Sequence, residues 1–330
     1  MIPDQWYVIL ESRKLKQIPI GITRLGEKIV VWRDREGKPY VISDKCPHRG
    51  ASLSQGKVTD GQLQCPFHGF EFDPSGNCIM IPANGRTSIP PKAMKSRAYL
   101  TREAFGFIWL WWGEEQSEYP ELPWFDDLGE EDFAYSSIYA HWPVHYSRCI
   151  ENQLDVIHLP FVHASTIGRG NRTVVDGPVT RMIGERMDIW VYNRKDDGSS
   201  IRRADVIPDP QRPPFLRFIF PNNWMNNISN DFRITINFIP IDDSNTLFCL
   251  RNYVSKGALP GMPKLFSWIS LLSSRVILNQ DERVVVKQLP IKSDLKIGEI
   301  LIPQDGPIIS YRRHRHDLID RSKKTKTELG

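Results

Sequence analysis

Cys46-Pro47-His48 and Cys65-Pro66-Phe67-His68 each place a thiol beside an imidazole, with sixteen residues between His48 and Cys65. Two thiols and two imidazoles can hold one zinc ion, or a [2Fe–2S] cluster with both Cys on one iron and both His on the other. Zinc ribbons and fingers usually pair like ligands, as C-x2-C and H-x3-H. Here each arm carries one ligand of each kind, C-x-H and then C-x2-H. That suits a two-iron cluster, because each loop must reach both irons. Gly50 and Gly69 follow the arms where tight loops need them. The cluster ligands are therefore expected to be Cys46, His48, Cys65 and His68, with a structural zinc site as the rival reading.

A second chemically loaded stretch is ENQLDVIHLPFVH, residues 151–163, which holds Asn152, Asp155, His158 and His163. Asp155 and His158 share a face if this stretch is helical. On an uninterrupted helix His158 and His163 diverge by about 140 degrees. Pro160 disturbs a helix continuing past it, and a break there can swing His163 back beside His158. Two such His with a distant carboxylate make a facial triad suited to mononuclear Fe(II) with open positions for dioxygen. By itself H-x4-H also fits a pair of hydrogen-bonded structural His. A one-electron carrier in the same chain favours the metal, since its electron needs a destination.

The elements that position these residues form an α+β protein. Residues 1–118 look all-β, with strand-like runs at Trp6–Leu10, Lys28–Trp32, Pro39–Ser43, Ile79–Pro82 and Phe105–Trp112. Turn signals such as Glu36-Gly37, Asp60-Gly61, Ser75-Gly76 and Asn84-Gly85 separate them. This is an N-terminal β domain presenting two metal-binding loops. Residues 119–330 form the second domain, which opens on an acidic, aromatic connector, GEEQSEYPELPWFDDLGEED. A helix is expected near 145–158. Strands are expected at Asp188–Tyr192, Leu216–Phe220, Arg233–Ile239 and Thr246–Val254, making an antiparallel sheet flanked by helices. A helical stretch is expected from about Met262 to Gln288. The polar tail RSKKTKTELG is expected to fray.

The 330 residues carry 43 basic and 39 acidic side chains, a net charge of +4 that is too mild to argue for nucleic acid. No segment approaches 18 consecutive apolar residues and no secretory leader is visible, so a cytoplasmic protein without a membrane span is expected. Cys78, Cys149 and Cys249 are too scattered for a disulfide framework and read as small buried residues. There is no G-x-G-x-x-G after a strand and no second Cys-rich cluster motif. Electrons must then come from a separate reductase or ferredoxin.

CPH…CPFH followed by N-x2-D-x2-H-x4-H resembles the oxygenase component of Rieske non-haem iron oxygenases, of the smaller demethylase/hydroxylase type. The likeness covers essentially the whole chain. The late segment IPQDGPIISYRR also resembles this group, although several members carry Trp where this chain has His314. The resemblance implies that His158, His163 and a helical carboxylate hold Fe(II). It implies that Asp155 hydrogen-bonds a cluster His and an iron His across a subunit boundary, and that Asn152 lies near the iron. It further implies a homotrimer, and hydroxylation or demethylation of an aromatic or alicyclic substrate in preference to ring cis-dihydroxylation. The family's carboxylate matches NQDERVVVKQ, giving Asp281. Periodicity alone does not choose it: Ile277, Asp281, Val284 and Gln288 share one face, and Leu278, Glu282, Val285 and Leu289 share the next. Asn223-Trp224-Met225 and Asn230-Asp231-Phe232 are candidates to line a substrate pocket, or to pack at strand ends. An electron carrier with only the cluster active, and a zinc-stabilised binding protein, are the alternatives that the second constellation argues against.

Overall fold

A computed structural model describes residues 1–129, 131–202, 213–257 and 261–329, with side chains as far as Lys324. Glu130 of the acidic connector lies outside the described residues. The chain divides into two compact units, Pro3–Pro120 and the residues from Glu121 onward.

The first unit contains β1 (Gln5–Glu11), β2 (Ile20–Arg24), β3 (Glu27–Arg33), β4 (Pro39–Ser43), β5 (Lys57–Thr59), β6 (Gln62–Gln64), β7 (Glu71–Phe72), β8 (Cys78–Met80), β9 (Ala98–Tyr99), β10 (Thr101–Ala104) and β11 (Phe107–Trp112). They pair as β1-β11-β10, β2-β3-β4-β9 and β5-β6-β7-β8. The run Ile29-Val30-Val31-Trp32 is apolar throughout because both faces of β3 are covered. Ile29 and Val31 enter one core with Tyr7, Ile9 and Val41. Val30 and Trp32 enter a second with Ile42, Leu63, Phe72, Cys46 and Cys65. The two cluster-candidate thiols are thus packed into a hydrophobic core. The expected strand at Phe105–Trp112 begins only at Phe107, because Phe105 and Gly106 take φ of 57° and 68° in the turn from β10. Ile79–Pro82 shortens to β8, since Pro82 opens a 3-10 turn where its missing N–H is harmless.

The second unit contains β12 (Phe133–Trp142), α1 (Tyr146–Leu154), α2 (Leu159–Val162), β13 (Val174–Ile183), β14 (Arg186–Arg194), β15 (Leu216–Ile219), β16 (Asn223–Asn227), β17 (Phe232–Pro240), β18 (Thr246–Ser255), α3 (Pro263–Val285) and α4 (Gly306–Leu329). The strands form one antiparallel sheet, β12-β18-β17-β16-β15-β14-β13. The fold is α+β, with helices accompanying a large antiparallel sheet.

Three expectations about the helices are corrected. The helix expected to reach residue 158 stops at Leu154, and Pro160 does not stop it. Asp155 turns extended (φ −71°, ψ 124°), and its Oδ1 accepts the N–H groups of Ile157 at 2.7 Å and His158 at 3.2 Å. A short carboxylate competing for nearby backbone donors ends the helix. Pro160 instead sits in the first turn of α2, where proline is tolerated. On α3 the buried residues are Ser267, Leu271, Ser274, Leu278, Asp281 and Val285. This stripe takes Asp281 from one of the two expected faces and Leu278 and Val285 from the other, in steps of three and four. The tail is helical, since α4 runs to Leu329. Ile308, Tyr311, Arg315, Leu318 and Ser322 give it a buried stripe, and Asp320 pairs with His316 and Lys323 on the outside.

Arg312 of α4 is also buried. Its Nε reaches Glu151 Oε1 of α1 at 2.7 Å, and its Nη2 reaches Glu299 Oε2 at 2.6 Å. Arg148 joins Glu151 and Glu299 from the same helix as Glu151, at 3.1 and 2.8 Å. These alternating charges compensate one another and tie α1 to α4. Cys78, Cys149 and Cys249 are buried and take part in no disulfide. Among the described residues no helix is long and apolar enough to cross a membrane.

Candidate metal centres and active site

The two arms of the first unit fold alike. Cys46 N–H donates to Ala51 O, and Gly50 N–H returns to Cys46 O. Cys65 N–H donates to Phe70 O, and Gly69 N–H returns to Cys65 O. Gly50 and Gly69 take φ of 75° and 73°, a conformation costly for a side chain. Each Cys is therefore buried at a loop base while His48 and His68 are exposed. Burial, with the neighbouring Cys65 thiol, pushes Cys46 up to about 11. The thiols adjoin one another, and the two imidazole rings lie 4.8 Å apart, centre to centre.

Among the described residues, His158, His163 and Asp281 form the one group of three or more metal-ligating side chains whose ligand atoms all lie within 4.8 Å of one another. The loop ligands thus make a thiol pair and an imidazole pair, not one convergent tetrahedral set. Two adjacent thiols on one side and two imidazoles on the other fit a two-iron cluster better than a single zinc.

In the second unit, ending α1 at Asp155 and restarting at α2 folds the chain back so that the His158 and His163 rings lie 5.2 Å apart. Asp281 Oδ1 stands 3.0 Å from His163 Nε2 and 3.6 Å from His158 Nε2. His163 Nδ1 contacts Gln280 Oε1 at 2.8 Å. Gln280 is oriented by Thr166 Oγ1, which donates to the same oxygen, and by Ser165, which accepts from its Nε2. An amide oxygen can only accept, so His163 carries its proton on Nδ1 and turns a lone pair on Nε2 towards Asp281. Burial pulls His163 down, but the contacts with Asp281 and Gln280 outweigh it and raise its pKa. Asp281 is buried and its Oδ1 has no hydrogen-bond partner. A buried carboxylate oxygen 3.0 and 3.6 Å from two imidazole nitrogens can share one cation with them. The donor set fits one metal ion.

A cavity of about 140 Å³ adjoins the triad. One wall is the sheet. Leu250, Ile236 and Trp224 form a row across β18, β17 and β16, and Ile234, Asn226 and Leu216 form the next across β17, β16 and β15. Ser274, Ile277, Leu278 and Asp281 of α3 bound it elsewhere, with Gln153, His158, Leu159 and His163.

Two family models match this chain. The Rieske [2Fe-2S] domain matches residues 5–95, and the vanillate O-demethylase oxygenase C-terminal domain matches residues 142–321.

The chain belongs to the Rieske non-haem iron oxygenase family.

This Rieske oxygenase is 31% identical to the vanillate O-demethylase oxygenase subunit of Pseudomonas sp. over 226 residues, 67% of this chain and 58% of that protein. It is 34% identical to the dicamba O-demethylase oxygenase component of Stenotrophomonas maltophilia over 167 residues, 49% of this chain and 48% of that one. The chain spans about three-fifths or less of the length of the curated relatives it matches. Its fold is that of Pseudomonas putida CBB5 NdmA with caffeine (TM-score 0.77, 21% identity, 97% of this chain and 92% of that one). It is also that of dicamba monooxygenase bound to dicamba (TM-score 0.75, 18% identity, 98% and 99%).

The other residues singled out in the sequence take these places in the structure of this Rieske oxygenase. Asn152 does not line the cavity, and its Nδ2 is buried without a partner. Gln153, the next residue of α1, lines it instead, and its Nε2 donates to Asp281 Oδ2 at 3.2 Å. Adjacent positions on a helix point about 100 degrees apart, so one step decides which amide meets the carboxylate. Glu282 lies outside the cavity and the triad. Of the two candidate lining segments, only Trp224 borders the cavity. Asn223 and Met225 point to the other side of β16 by strand alternation. His314 is engaged away from the cavity, with Nε2 2.7 Å from Glu185 Oε2 and its ring against Phe220. Gln153 and Gln280 carried no sequence signal, because a glutamine on a helix is ordinary.

Proposed function

We propose that this Rieske oxygenase uses dioxygen, and electrons from a separate reductase or ferredoxin, to hydroxylate or oxidatively demethylate a small aromatic or alicyclic substrate. The observation that carries this reading is the convergence of His158, His163 and Asp281 at the edge of a mainly apolar cavity. A facial triad of this kind holds Fe(II), and such an iron supplies the dioxygen chemistry. Cys46 and Cys65 hold one iron of the cluster, and His48 and His68 hold the other. Neutral imidazoles in place of two thiolates raise the cluster's potential.

The chain's own groups prepare the catalytic site. Gln280 fixes the His163 tautomer by accepting from Nδ1, which leaves Nε2 for the metal. Gln153 donates to Asp281 Oδ2, which leaves Oδ1 for the same ion. Ile234, Ile236, Leu250 and Ile277 exclude water and offer dispersion contacts to a flat apolar substrate. Asp155 stands 3.7 Å from His158 Nδ1, a nitrogen that is buried and lacks a hydrogen-bond partner. It is suited to orient that ring and to couple the iron site to a cluster His of a neighbouring copy in a trimer.

The test is iron and acid-labile sulfide content after anaerobic purification and Fe(II) supply. About three irons and two sulfides per chain are expected. About two irons would leave an electron carrier, and zinc without sulfide would overturn the reading.

A further inference from the structure

Trp224 and Asn226 are two residues apart on β16, so their side chains project from the same face of the sheet, about 7 Å apart along the strand. Both line the cavity beside the triad. Trp224 is 5% exposed, and its indole Nε1 is buried with no hydrogen-bond partner. The Asn226 Oδ1 is likewise buried and unpaired. Asn193 of β14, the other polar side chain that the sheet gives this cavity, is paired, its Nδ2 donating to Val156 O. An unpaired buried N–H and an unpaired buried C=O on one face of β16 are costly to a fold that gains nothing from them. Their cross-strand partners in the two rows, Ile236 and Ile234, are apolar and cannot satisfy them.

We infer that Trp224 and Asn226 are the specificity-determining polar pair of the cavity, and that the substrate is a neutral, largely apolar molecule with one compact hydrogen-bonding group. The inference rests on reading this cavity as the substrate site. Trp224 only donates, so the substrate group must contain an acceptor. The Asn226 amide offers an acceptor or, after a half-turn, a donor. A ring amide or a hydroxyl answers both residues at once. Neutrality follows from the charges lining the cavity. Among the described residues its ionisable side chains are Asp155, Asp281, His158 and His163, with no Lys or Arg. An anionic substituent lodged against the sheet wall would lose its hydration without gaining a cationic side chain.

Three bicyclic probes of similar size separate the possibilities by calorimetric titration of the purified oxygenase: 2-quinolone, a neutral ring amide; naphthalene, without a polar group; and 2-naphthoate, an anion. 2-Quinolone is expected to bind about tenfold or more tightly than the other two, and Trp224→Phe and Asn226→Leu are each expected to cut that preference over naphthalene about tenfold. Phe keeps an aromatic ring but removes the N–H together with the rest of the pyrrole ring, so the loss shared by naphthalene reads lost packing and the excess loss of 2-quinolone reads the N–H. The Asn226 variant gives an independent result if the Trp224 variant fails to fold. Tightest binding of 2-naphthoate, equal binding of all three, no binding by any, or an unchanged preference in both variants would overturn the inference. Iron content is read on the same samples. An oxygenase lacking mononuclear iron that still shows the probe pattern would sink the proposed function and leave the polar pair standing. Full iron without the pattern would do the reverse.

Discussion

His163 is held from both ends by consecutive residues of α3: Gln280 Oε1 lies 2.8 Å from its Nδ1, and Asp281 Oδ1 lies 3.0 Å from its Nε2. One helical step thus supplies both the group that fixes the tautomer and the carboxylate that shares the metal. Gln280→Leu should weaken metal binding about 10–100-fold, the usual effect of losing a partner behind a ligating His. Gln280→Glu keeps the acceptor and should restore most of it. Titration of the mononuclear site with Fe(II) or Co(II) checks both, and equal affinity in the Leu variant would remove Gln280 from this role.

Asp281 and Glu282 were equivalent by helical periodicity, and α3 buries only the first of the two fully. Asp281→Asn should therefore lose about one iron per chain while the cluster's visible absorption survives. Glu282→Gln should keep full iron content. The opposite pattern would move the ligand assignment by one residue.

Asp155 accepts two backbone N–H groups through Oδ1, and an amide oxygen can accept the same pair. Asp155→Asn should therefore preserve the turn between α1 and α2 and both metal centres. Turnover should fall about 10–100-fold, because the charge beside His158 is gone. Rates of cluster reoxidation in single turnover isolate this step. A variant that reoxidises at the parent rate would end the bridging role.

His145 caps α1 with an unprotonated ring nitrogen: its Nδ1 accepts the N–H of Ser147 at 3.2 Å. Burial, then the charges of Arg315 and Lys292, lower its pKa to about 2. The unfolded chain takes up this proton near pH 6.5, and the folded chain refuses it until far lower. The contribution to stability is thus complete above about pH 6.5 and is lost as pH falls, by about 1.4 kcal/mol per pH unit, down to the folded pKa. His145→Asn retains a capping oxygen without a titrating ring. Urea unfolding at pH 7 and pH 5 should show a smaller acid loss in that variant than in the parent.

Much of this protein is legible in its sequence. The cluster loops announce themselves because their chemistry is local: C-x-H and C-x2-H each fit within one turn, and only glycine easily takes the φ found at Gly50 and Gly69. The long strands β1, β3, β4, β17 and β18 follow from runs that can bury one or both faces. Strands of two or three residues, such as β5, β6, β7 and β9, are too short for a period to be read.

The sequence by itself determined the ligand types, their pairing on two loops and the kinship of the whole chain. Tertiary structure decided which side chains converge, including Asp281, which the family resemblance favoured and helical periodicity left level with Glu282. Asp281 over Glu282, Gln153 over Asn152, and Trp224 with Asn226 over their neighbours on β16 are choices of one residue. Each turns on the rotation of a helix or the facing of a strand, and these are set by packing against elements up to more than a hundred residues away. No local pattern carries that information, because the free energy that selects the rotation is summed over the whole buried face.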